Sequence, residues 1–431
     1  MEHQDQQNKS YVLPIAMMFA LFFMISFVTG LQNPFGVIVK NQFMASNLES
    51  QLGNLANFIA YAFMGIPAGK MLERIGYKKT ALAAIAVGFV GVCVTFLSGS
   101  AGSFAVYLTG AFISGFSMCM LNVVVNPMLN TLGGGGKRGN QLLQFGGAIN
   151  SIGATIVPVL VGYLIGTISS ETSIANANPA LFLAMGIFAL AFIVLFSMNI
   201  PEPHAAAAVA NGVKNSHSPL SFRHFVLGAI AIFLYVGIEV GIPNIANLFM
   251  TGSTEANGLG IDTTTAGSVV GTYWFLMFIG RFIGGGLGNV ISSKAMLSFV
   301  SALGLILVTV AIFMPESVTV TVPALQENLS FAMAEVPISI LFFVLCGLCT
   351  SVMWGGIFNL ATNGLGKYTA AASGIFMVMV CGGGILPALQ GWVADVVGYI
   401  QSYWVIVLAL AYLLFYALAG SKNVNTDIKV D

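Results

Sequence analysis

Long apolar stretches separated by short polar connections dominate the 431-residue sequence. A helix that crosses a bilayer needs roughly 20 consecutive apolar residues, and twelve stretches have this length. In chain order, these spans one to twelve cover about residues 12–39, 50–72, 79–98, 102–130, 140–168, 179–198, 223–250, 264–288, 294–314, 335–363, 368–396 and 401–421. The pattern predicts an all-α membrane protein with twelve transmembrane helices.

Two longer polar segments interrupt this pattern. Residues 199–222 are polar and Ala-rich and lie between spans six and seven, and residues 315–334 are predicted to form a polar loop between spans nine and ten. The first segment is typical of a linker between two six-helix domains. We therefore expect an N-terminal half, residues 1–198, and a C-terminal half, residues 223–431.

Composition excludes most other classes of protein. Charged residues make up only 7% of the chain, whereas soluble domains carry about 25%. The 15 basic residues balance the 15 acidic residues, so there is no basic field for a nucleic acid. Neither a metal nor a cofactor is expected, because the cysteines lie inside apolar stretches and the histidines form no cluster.

The basic residues predict the orientation. When both tails are placed on one side of the membrane, nearly all lysines and arginines of the connections fall on that side, and the other side receives only Lys40. Cytoplasmic connections carry such an excess. Both termini and the central linker are therefore expected to be cytoplasmic, in a multi-pass protein that we expect to be a monomer in the lipid bilayer.

The two halves repeat each other in sequence. Span five carries Pro-Val-Leu-Val-Gly at residues 158–162, and span eleven carries Pro-Ala-Leu-Gln-Gly at residues 387–391. At the same offset, Asn130 corresponds to Asn359. Internal repeats in a chain with many spans are typical of alternating-access transporters. The repeat argues against a membrane enzyme, which would also need an acid–base pair or a metal set.

The connection after span two carries a motif. Residues 69–79, Gly-Lys-Met-Leu-Glu-Arg-Ile-Gly-Tyr-Lys-Lys, resemble the loop motif of the major facilitator superfamily, in which Asp usually stands at the place of Glu73. A weaker copy begins at Gly280-Arg281. The resemblance implies a cytoplasmic gate formed by Gly69, Glu73, Arg74, Lys78 and Arg281. The alternatives are that the lysines only set the topology and that Arg281 only reaches the membrane interface.

Further segments narrow the resemblance. They are Leu-Gln-Asn-Pro at 31–34, Leu-Asn-Val-Val-Val-Asn-Pro at 121–127, residues 233–241, Gly-Leu-Gly-Lys at 364–367, and residues 383–391. Together they are similar to the fucose–proton symporter family, which includes bacterial glucose/galactose permeases. The resemblance implies a major facilitator fold and inward transport of a neutral sugar, a hexose or a hexose derivative, across the bacterial inner membrane.

Several positions depart from that family. Its symporters have an aspartate in span one and a glutamate in span four, where this chain has Asn33 and Asn122. In span five, the family often has a glutamine where this chain has Gly147 and an asparagine where this chain has Gln144. We expect the small Gly147 to enlarge the sugar pocket. The protein is therefore either a facilitator or couples sugar to protons through another acid.

Glu239 is the acid placed for such coupling, because it lies near the middle of span seven. Glu239, Pro243 and Asn247 share one helix face. A carboxyl group held away from water favours its neutral form, so Glu239 is expected to load and release a proton. The alternative is a permanently protonated glutamate that only bonds a neighbouring helix.

Prolines next to asparagines mark spans one, four and seven, at Pro34, Pro127 and Pro243. Amides donate and accept hydrogen bonds, which suits sugar hydroxyls, and Trp354 and Tyr235 are placed to stack on a sugar ring. The candidate ligand groups are Gln32, Asn33, Asn122, Asn126, Gln144, Asn150, Glu239, Asn244, Asn247, Trp354 and Asn359. Two alternatives remain: a drug or metabolite exporter of the same fold, and a sugar sensor that does not transport.

Overall fold

The structure is a computed structural model, and most of its described residues are helical. The described residues are 11–43, 52–134, 136–165, 172–202, 217–252, 254, 257–288, 290–326, 330–425, 427–428 and 430. The N-terminal tail, residues 1–10, and most of the central linker lie outside the described residues. We use "first half" for residues 1–198 and "second half" for residues 223–431 as parts of the sequence.

Among the described residues, the first half contains five long helices and the second half contains eight helices, most of them shorter. The helices of the first half are α1 Val12–Phe43, α2 Leu52–Ala101, α3 Phe104–Leu132, α4 Gly136–Ile165 and α5 Asn178–Ser197. Those of the second half are α6 Arg223–Thr251, α7 Thr263–Leu287, α8 Ser293–Phe313, α9 Ile338–Thr350, α10 Met353–Thr362, α11 Thr369–Met379, α12 Gly382–Val397 and α13 Trp404–Phe415.

Helix α2 folds back on itself although it is assigned as one element. Gly76 inside it has φ 81° and ψ 178°, a left-handed conformation that glycine adopts at little cost. The segments on either side of Gly76 both pack on α3. Asn57 donates to the carbonyl oxygen of Ala111, and the Ser117 hydroxyl donates to the carbonyl oxygen of Ala84. Spans two and three of the sequence are therefore two antiparallel segments joined at Gly76.

The remaining boundaries lie within a few residues of the predicted spans, with two interruptions. Span ten is divided into α9 and α10 by Ser351 and Val352, and span eleven into α11 and α12 by Val380 and Cys381. Among the described residues, ten helical stretches are long and apolar enough to cross a membrane. Large apolar side chains such as Phe63, which is 65% exposed, cover the outside of these helices. These features indicate a multi-pass membrane protein.

A β-hairpin replaces most of the polar loop predicted at residues 315–334. Strands β1 Thr319–Leu325 and β2 Phe331–Pro337 pair antiparallel, with Val322 opposite Ala334. Both of these residues are buried, whereas Thr321 and Pro323, the neighbours of Val322 along β1, are exposed. The prediction of a loop was wrong because it weighed polarity and overlooked the alternation of apolar residues in β1, which is typical of a half-buried strand.

The hairpin packs on α7 through a threonine. The Thr272 hydroxyl donates to the carbonyl oxygen of Pro323 at 2.8 Å and accepts from the backbone N–H of Leu325 at 3.2 Å. Phe275, one turn further along α7, meets Phe331 edge to face. Thr272 thus satisfies backbone groups on the free edge of β1, which would otherwise lack partners.

The first and second halves touch closely at one end of the bundle. We call it the linker end, because α5 ends there at Ser197 and α6 begins there at Arg223. On one side, α2 and α11 are in backbone contact: a Cβ atom added to Gly65 would lie 2.6 Å from the backbone nitrogen of Val378 and 2.7 Å from the Gly374 oxygen. Small residues permit such close helix packing in membrane proteins.

A second contact between the halves lies between α4 and α7. The rings of Phe145 and Phe282 meet edge to face with centroids 5.9 Å apart. Near the end of α7, a Cβ atom on Gly288 would lie 3.5 Å from the Cα atom of Gln141. The two contacts close the bundle at the linker end.

Candidate functional site

A chain of polar side chains runs through the middle of the helices, and it begins on α3. The Asn122 amide donates to the Tyr61 hydroxyl at 3.2 Å and to the carbonyl oxygen of Met118 at 3.0 Å. One turn later, the Asn126 amide donates to the carbonyl oxygen of Asn122 at 2.9 Å. The two predicted asparagines therefore share one helix face and leave the Asn126 oxygen free to accept.

The Asn126 oxygen accepts from the second half of the chain. The indole N–H of Trp354, on α10, donates to it at 3.0 Å. The Trp354 ring lies 6.2 Å from the ring of Tyr235, on α6, at an angle of 56°. Two predicted ligand groups from opposite halves are thus in direct contact, beside an aromatic pair that offers apolar ring surface.

An ion pair lies next to this aromatic pair. Nη2 of Arg281 donates to Oε1 of Glu239 at 2.7 Å, and both side chains are largely removed from solvent, at 8% and 15% exposure. Arg281 was expected in a loop clamp or at the membrane interface. It lies instead inside the bundle, because Glu239 and a set of oxygens receive its guanidinium.

Every N–H of that guanidinium has an acceptor. Nη2 donates also to the Tyr235 hydroxyl at 3.3 Å, and Nε donates to the carbonyl oxygen of Ser351 at 3.3 Å. Nη1 donates to the carbonyl oxygen of Gly147 at 3.0 Å and to the Ser151 hydroxyl at 2.8 Å. Gly147 and Ser151 belong to α4, so Arg281 also joins the two halves.

Glu239 is held through its backbone as well. The Tyr273 hydroxyl donates to the Glu239 carbonyl oxygen at 3.1 Å and lies 3.0 Å from the Thr350 hydroxyl. These contacts fix α6 against α7 and α9 at the level of the ion pair. Among the described residues, Glu239 is the acid that reaches this central network.

Gln144, a further predicted ligand, contacts the second half closer to the linker end. Its amide donates to the carbonyl oxygen of Val352 at 3.1 Å, in the interruption between α9 and α10. A Cβ atom on Gly355 would lie 2.6 Å from the Gln144 amide nitrogen. Gln144 therefore depends on a glycine in α10 for its position.

Two predicted residues lie away from the network and bond within their own half. The Asn150 amide donates to the carbonyl oxygen of Phe22 at 3.1 Å and joins α4 to α1. The Asn359 amide donates to the Ser293 hydroxyl at 2.8 Å and joins α10 to α8. Both asparagines act here as helix–helix contacts.

Four predicted residues remain. The side chains of Gln32 and Asn33 lie outside the described part of α1. Asn244 is half-buried on α6, and among the described residues no hydrogen bond joins it to the network. The Oδ1 atom of Asn247 is buried without a hydrogen-bond partner among the described residues.

The residues of the loop motif divide between two arrangements. A Cβ atom added to Gly374 would lie 3.1 Å from the Cα atom of Gly69. Gly69 therefore belongs to the contact between the halves. Lys78 instead bonds within the first half, where its ammonium donates to the carbonyl oxygens of Phe196 and Met198 at 2.8 and 2.6 Å. Glu73 and Arg74 are exposed.

Glu202 completes the arrangement around Lys78. Its carboxylate accepts from the backbone N–H groups of Tyr77 and Lys78 at 2.6 and 2.9 Å. These N–H groups open the second segment of α2, where the helix dipole favours a negative charge. Glu202 therefore caps the start of the second segment of α2, Lys78 caps the end of α5, and together they join α2 to the end of α5.

Sequence reasoning missed several members of the network. Ser151, Tyr61 and Tyr273 are small or aromatic polar residues within apolar helices, and no motif marks them. Ser151 had one usable signal, since it follows Gly147 by four residues and so lies on the same face of α4. No group of three or more His, Cys, Asp or Glu side chains that could hold a metal occurs among the residues described.

Comparison with known proteins agrees with this architecture. A family model described as Major Facilitator Superfamily matches residues 18–386. A glucose/galactose transporter of Brucella abortus is 30% identical over 423 residues, which are 97% of each chain. An L-fucose-proton symporter of Escherichia coli is 22% identical over 441 residues, covering 97% of this chain and 95% of the relative.

A solved structure shows the same fold. The Escherichia coli transporter FucP in the outward conformation superposes with a TM-score of 0.77 at 20% identity, covering 96% of this chain and 100% of the other. The resemblance found in the sequence is thereby confirmed. This chain belongs to the Major Facilitator Superfamily.

Proposed function

We propose that this protein is a sugar permease that moves a neutral hexose or hexose derivative inward across the bacterial cytoplasmic membrane by alternating access, with proton coupling through Glu239. The observation that carries the proposal is the central network, in which Asn126 and Trp354 meet across the two halves beside the Glu239–Arg281 ion pair. A ligand bound there contacts both halves at once, which alternating access requires.

The chemistry of the network supports a neutral sugar. Amide groups and an indole N–H provide donors and acceptors for hydroxyl groups, and the rings of Trp354 and Tyr235 provide an apolar platform. The one cation of the network, Arg281, is matched by Glu239 and neutral oxygens, which leaves no charge for an anionic substrate. The named relatives, glucose/galactose transporters and fucose symporters, point to the same class of substrate.

Twelve crossings in two halves fit the helices. The two segments of α2, with α1, α3, α4 and α5, provide six crossings in the first half. Helices α6, α7 and α8, the pairs α9–α10 and α11–α12, and α13 provide six in the second. With the excess of basic residues at the linker end, we place both termini and the linker in the cytoplasm.

The contacts at the linker end support an outward-facing arrangement. Gly65 and Gly374 bring α2 against α11, and Phe145 and Phe282 bring α4 against α7. Substrate release to the cytoplasm requires both contacts to separate. Gly69 takes part in the first contact, and Lys78 supports it by fixing α2 to α5.

Coupling through Glu239 follows from its partner. An ionised Glu239 pairs with Arg281, and a protonated Glu239 loses much of that attraction. Protonation therefore changes the main polar contact beside Trp354 and Tyr235, which links proton binding to the sugar site. This acid takes the place of the two that the family has where Asn33 and Asn122 stand.

The test uses purified protein reconstituted in liposomes. We expect one or more neutral hexoses of a sugar panel to raise the unfolding temperature by mass action and to exchange in a counterflow assay. Counterflow that saturates with sugar also separates a permease from a sensor that does not transport. No stabilisation and no counterflow with any sugar of the panel would overturn the proposal, and export of lipophilic cations would favour an exporter.

A further inference from the structure

The guanidinium of Arg281 is fully engaged in this conformation. A guanidinium has five N–H groups, and five acceptors lie within hydrogen-bond distance: Glu239 Oε1, the Tyr235 hydroxyl, the Ser351 carbonyl, the Gly147 carbonyl and the Ser151 hydroxyl. Three belong to the second half and two to the first. Separation of α4 from α7 at the linker end therefore removes the two acceptors of Nη1.

Gly147 leaves the space that this contact needs. A Cβ atom at Gly147 would lie 3.3 Å from Cδ and 3.5 Å from Nε of Arg281. Contacts of 3.3 Å force the neighbouring group to move by a few tenths of an ångström. Gly147 was expected to enlarge the sugar pocket, and in the structure the Arg281 side chain lies against it.

Ser151 lies one turn further along α4. It is 2% exposed, and its hydroxyl lies 2.8 Å from Nη1 of Arg281. The carbonyl of Gly147 and the hydroxyl of Ser151 together engage both N–H groups of Nη1. Glu239 then receives an N–H from Nη2 alone, on Oε1.

We infer that Gly147 and Ser151 form a seat for Arg281 that makes the proton affinity of Glu239 depend on whether the linker end is closed. This inference rests on the proposed coupling through Glu239. With the seat occupied, Nη1 is held by α4, and Arg281 reaches Glu239 through Oε1 alone. When α4 moves away, Nη1 is free to donate to Oε2, and paired N–H···O bonds stabilise the ionised carboxylate more strongly.

The consequence is a direction for proton movement. Glu239 accepts a proton from water more readily while the linker end is closed, and the proton leaves to water on the linker side once Arg281 leaves its seat. The titratable groups that face Glu239 are Arg281 and Tyr273 from α7 and Tyr235 from its own helix. From α4 only neutral groups reach the guanidinium, so the seat acts by position and not by charge.

The test compares three serine variants in liposomes with an imposed pH gradient. Ser151→Ala removes one acceptor of Nη1, Ser151→Thr keeps a hydroxyl, and Ser117→Ala removes a buried serine hydroxyl elsewhere in the first half. Sugar uptake is measured against external pH. We expect half-maximal uptake by Ser151→Ala to shift by about 0.5 pH units toward acid, equivalent to ~0.7 kcal/mol, and the other two variants to match the wild type.

Other outcomes are decisive as well. An unshifted profile for Ser151→Ala, a shift toward alkaline pH, or a uniform loss of rate at every pH overturns the inference. If Ser151→Ala does not fold, Gly147→Ala tests the same seat by displacing Arg281 and is expected to shift the profile in the same direction. Glu239→Gln separates the two proposals: if it keeps the wild-type pH profile, coupling through Glu239 itself is wrong.

Discussion

Trp354 on α10 donates its indole N–H to the side-chain oxygen of Asn126 on α3, across 3.0 Å and between the two halves of the chain. In the absence of a sugar, the two groups satisfy each other. In the proposed site, a sugar hydroxyl that enters between them is expected to replace this bond with one bond to each partner. The pair is a contact between the halves, and we propose that it is also a pair of ligand groups.

Asn126→Ala is expected to weaken sugar binding about 10-fold or more, which corresponds to ~1.4 kcal/mol. The variant removes an acceptor for the sugar and leaves the Trp354 N–H without its partner. The measurement is sugar affinity of the purified protein by calorimetry. Asn150→Ala is the matched control, because among the described residues the Asn150 side chain bonds the carbonyl of Phe22 and not the network; equal losses in both variants would contradict the placement of the site.

Gly65→Ala is expected to open the linker end. Its Cβ atom would meet the backbone of Val378 and Gly374 at 2.6 and 2.7 Å, and backbone cannot yield as a flexible side chain does. Spin labels are placed at the turn of α2 beside Gly76 and at the start of α11. The distance between them is expected to lengthen. Gly186→Ala is the control, since nothing lies within 4 Å of that position; unchanged distances in Gly65→Ala would refute the closed contact.

Glu202→Ala is expected to lower the thermal stability of the protein by an amount equivalent to about 1–2 kcal/mol, because it removes the acceptor of two N–H groups at a helix start. The accepting groups lie at Tyr77 and Lys78. Sugar affinity is expected to stay unchanged, because the Glu202 carboxylate bonds Tyr77 and Lys78, which are not part of the network. The measurement is the unfolding temperature with and without sugar. A variant as stable as the wild type would show that the carboxylate is not a cap.

Thr272→Val is expected to loosen the hairpin from α7 while keeping the shape of the side chain. The hydroxyl that bonds Pro323 and Leu325 is lost, so backbone amides of β1 exchange with deuterium faster. Thr272→Ser retains the hydroxyl and is expected to protect the hairpin as the wild type does. Identical exchange in Thr272→Val and the wild type would mean that the hydroxyl does not hold the strand.

Much of the fold follows from the sequence, because apolar length alone determines where a membrane helix lies. The sharp turn at Gly76 fell within the predicted connection between spans two and three. The hairpin was not predicted from the sequence, because the stretch Thr-Val-Thr-Val at residues 319–322 was judged by its polarity. Its alternation of small apolar and hydroxyl side chains was the available signal, and β1 carries it in Val320 and Val322.

The sequence predicts those site residues whose burial in a membrane costs free energy. Glu239 stood out because an acid in the middle of an apolar span needs a partner. The partner did not follow from the sequence, because Arg281 is 42 residues away and its side chain is long enough to reach several helices. Gly147 and Ser151 carry no such cost, so their role depends on how α4 packs against α7, which only the structure gives.

Coupling through Glu239 is tested most directly by detecting the proton that accompanies the sugar. Liposomes containing the wild-type protein are mixed with the hexose that the panel selects, in weakly buffered medium without an imposed gradient, and external pH is recorded. Coupling through Glu239 predicts that sugar makes the medium more alkaline with the wild type and with Glu316→Gln, which changes an exposed acid. Glu239→Gln is expected still to exchange sugar but to leave the pH constant. Sugar-dependent alkalinisation by Glu239→Gln would contradict the central claim.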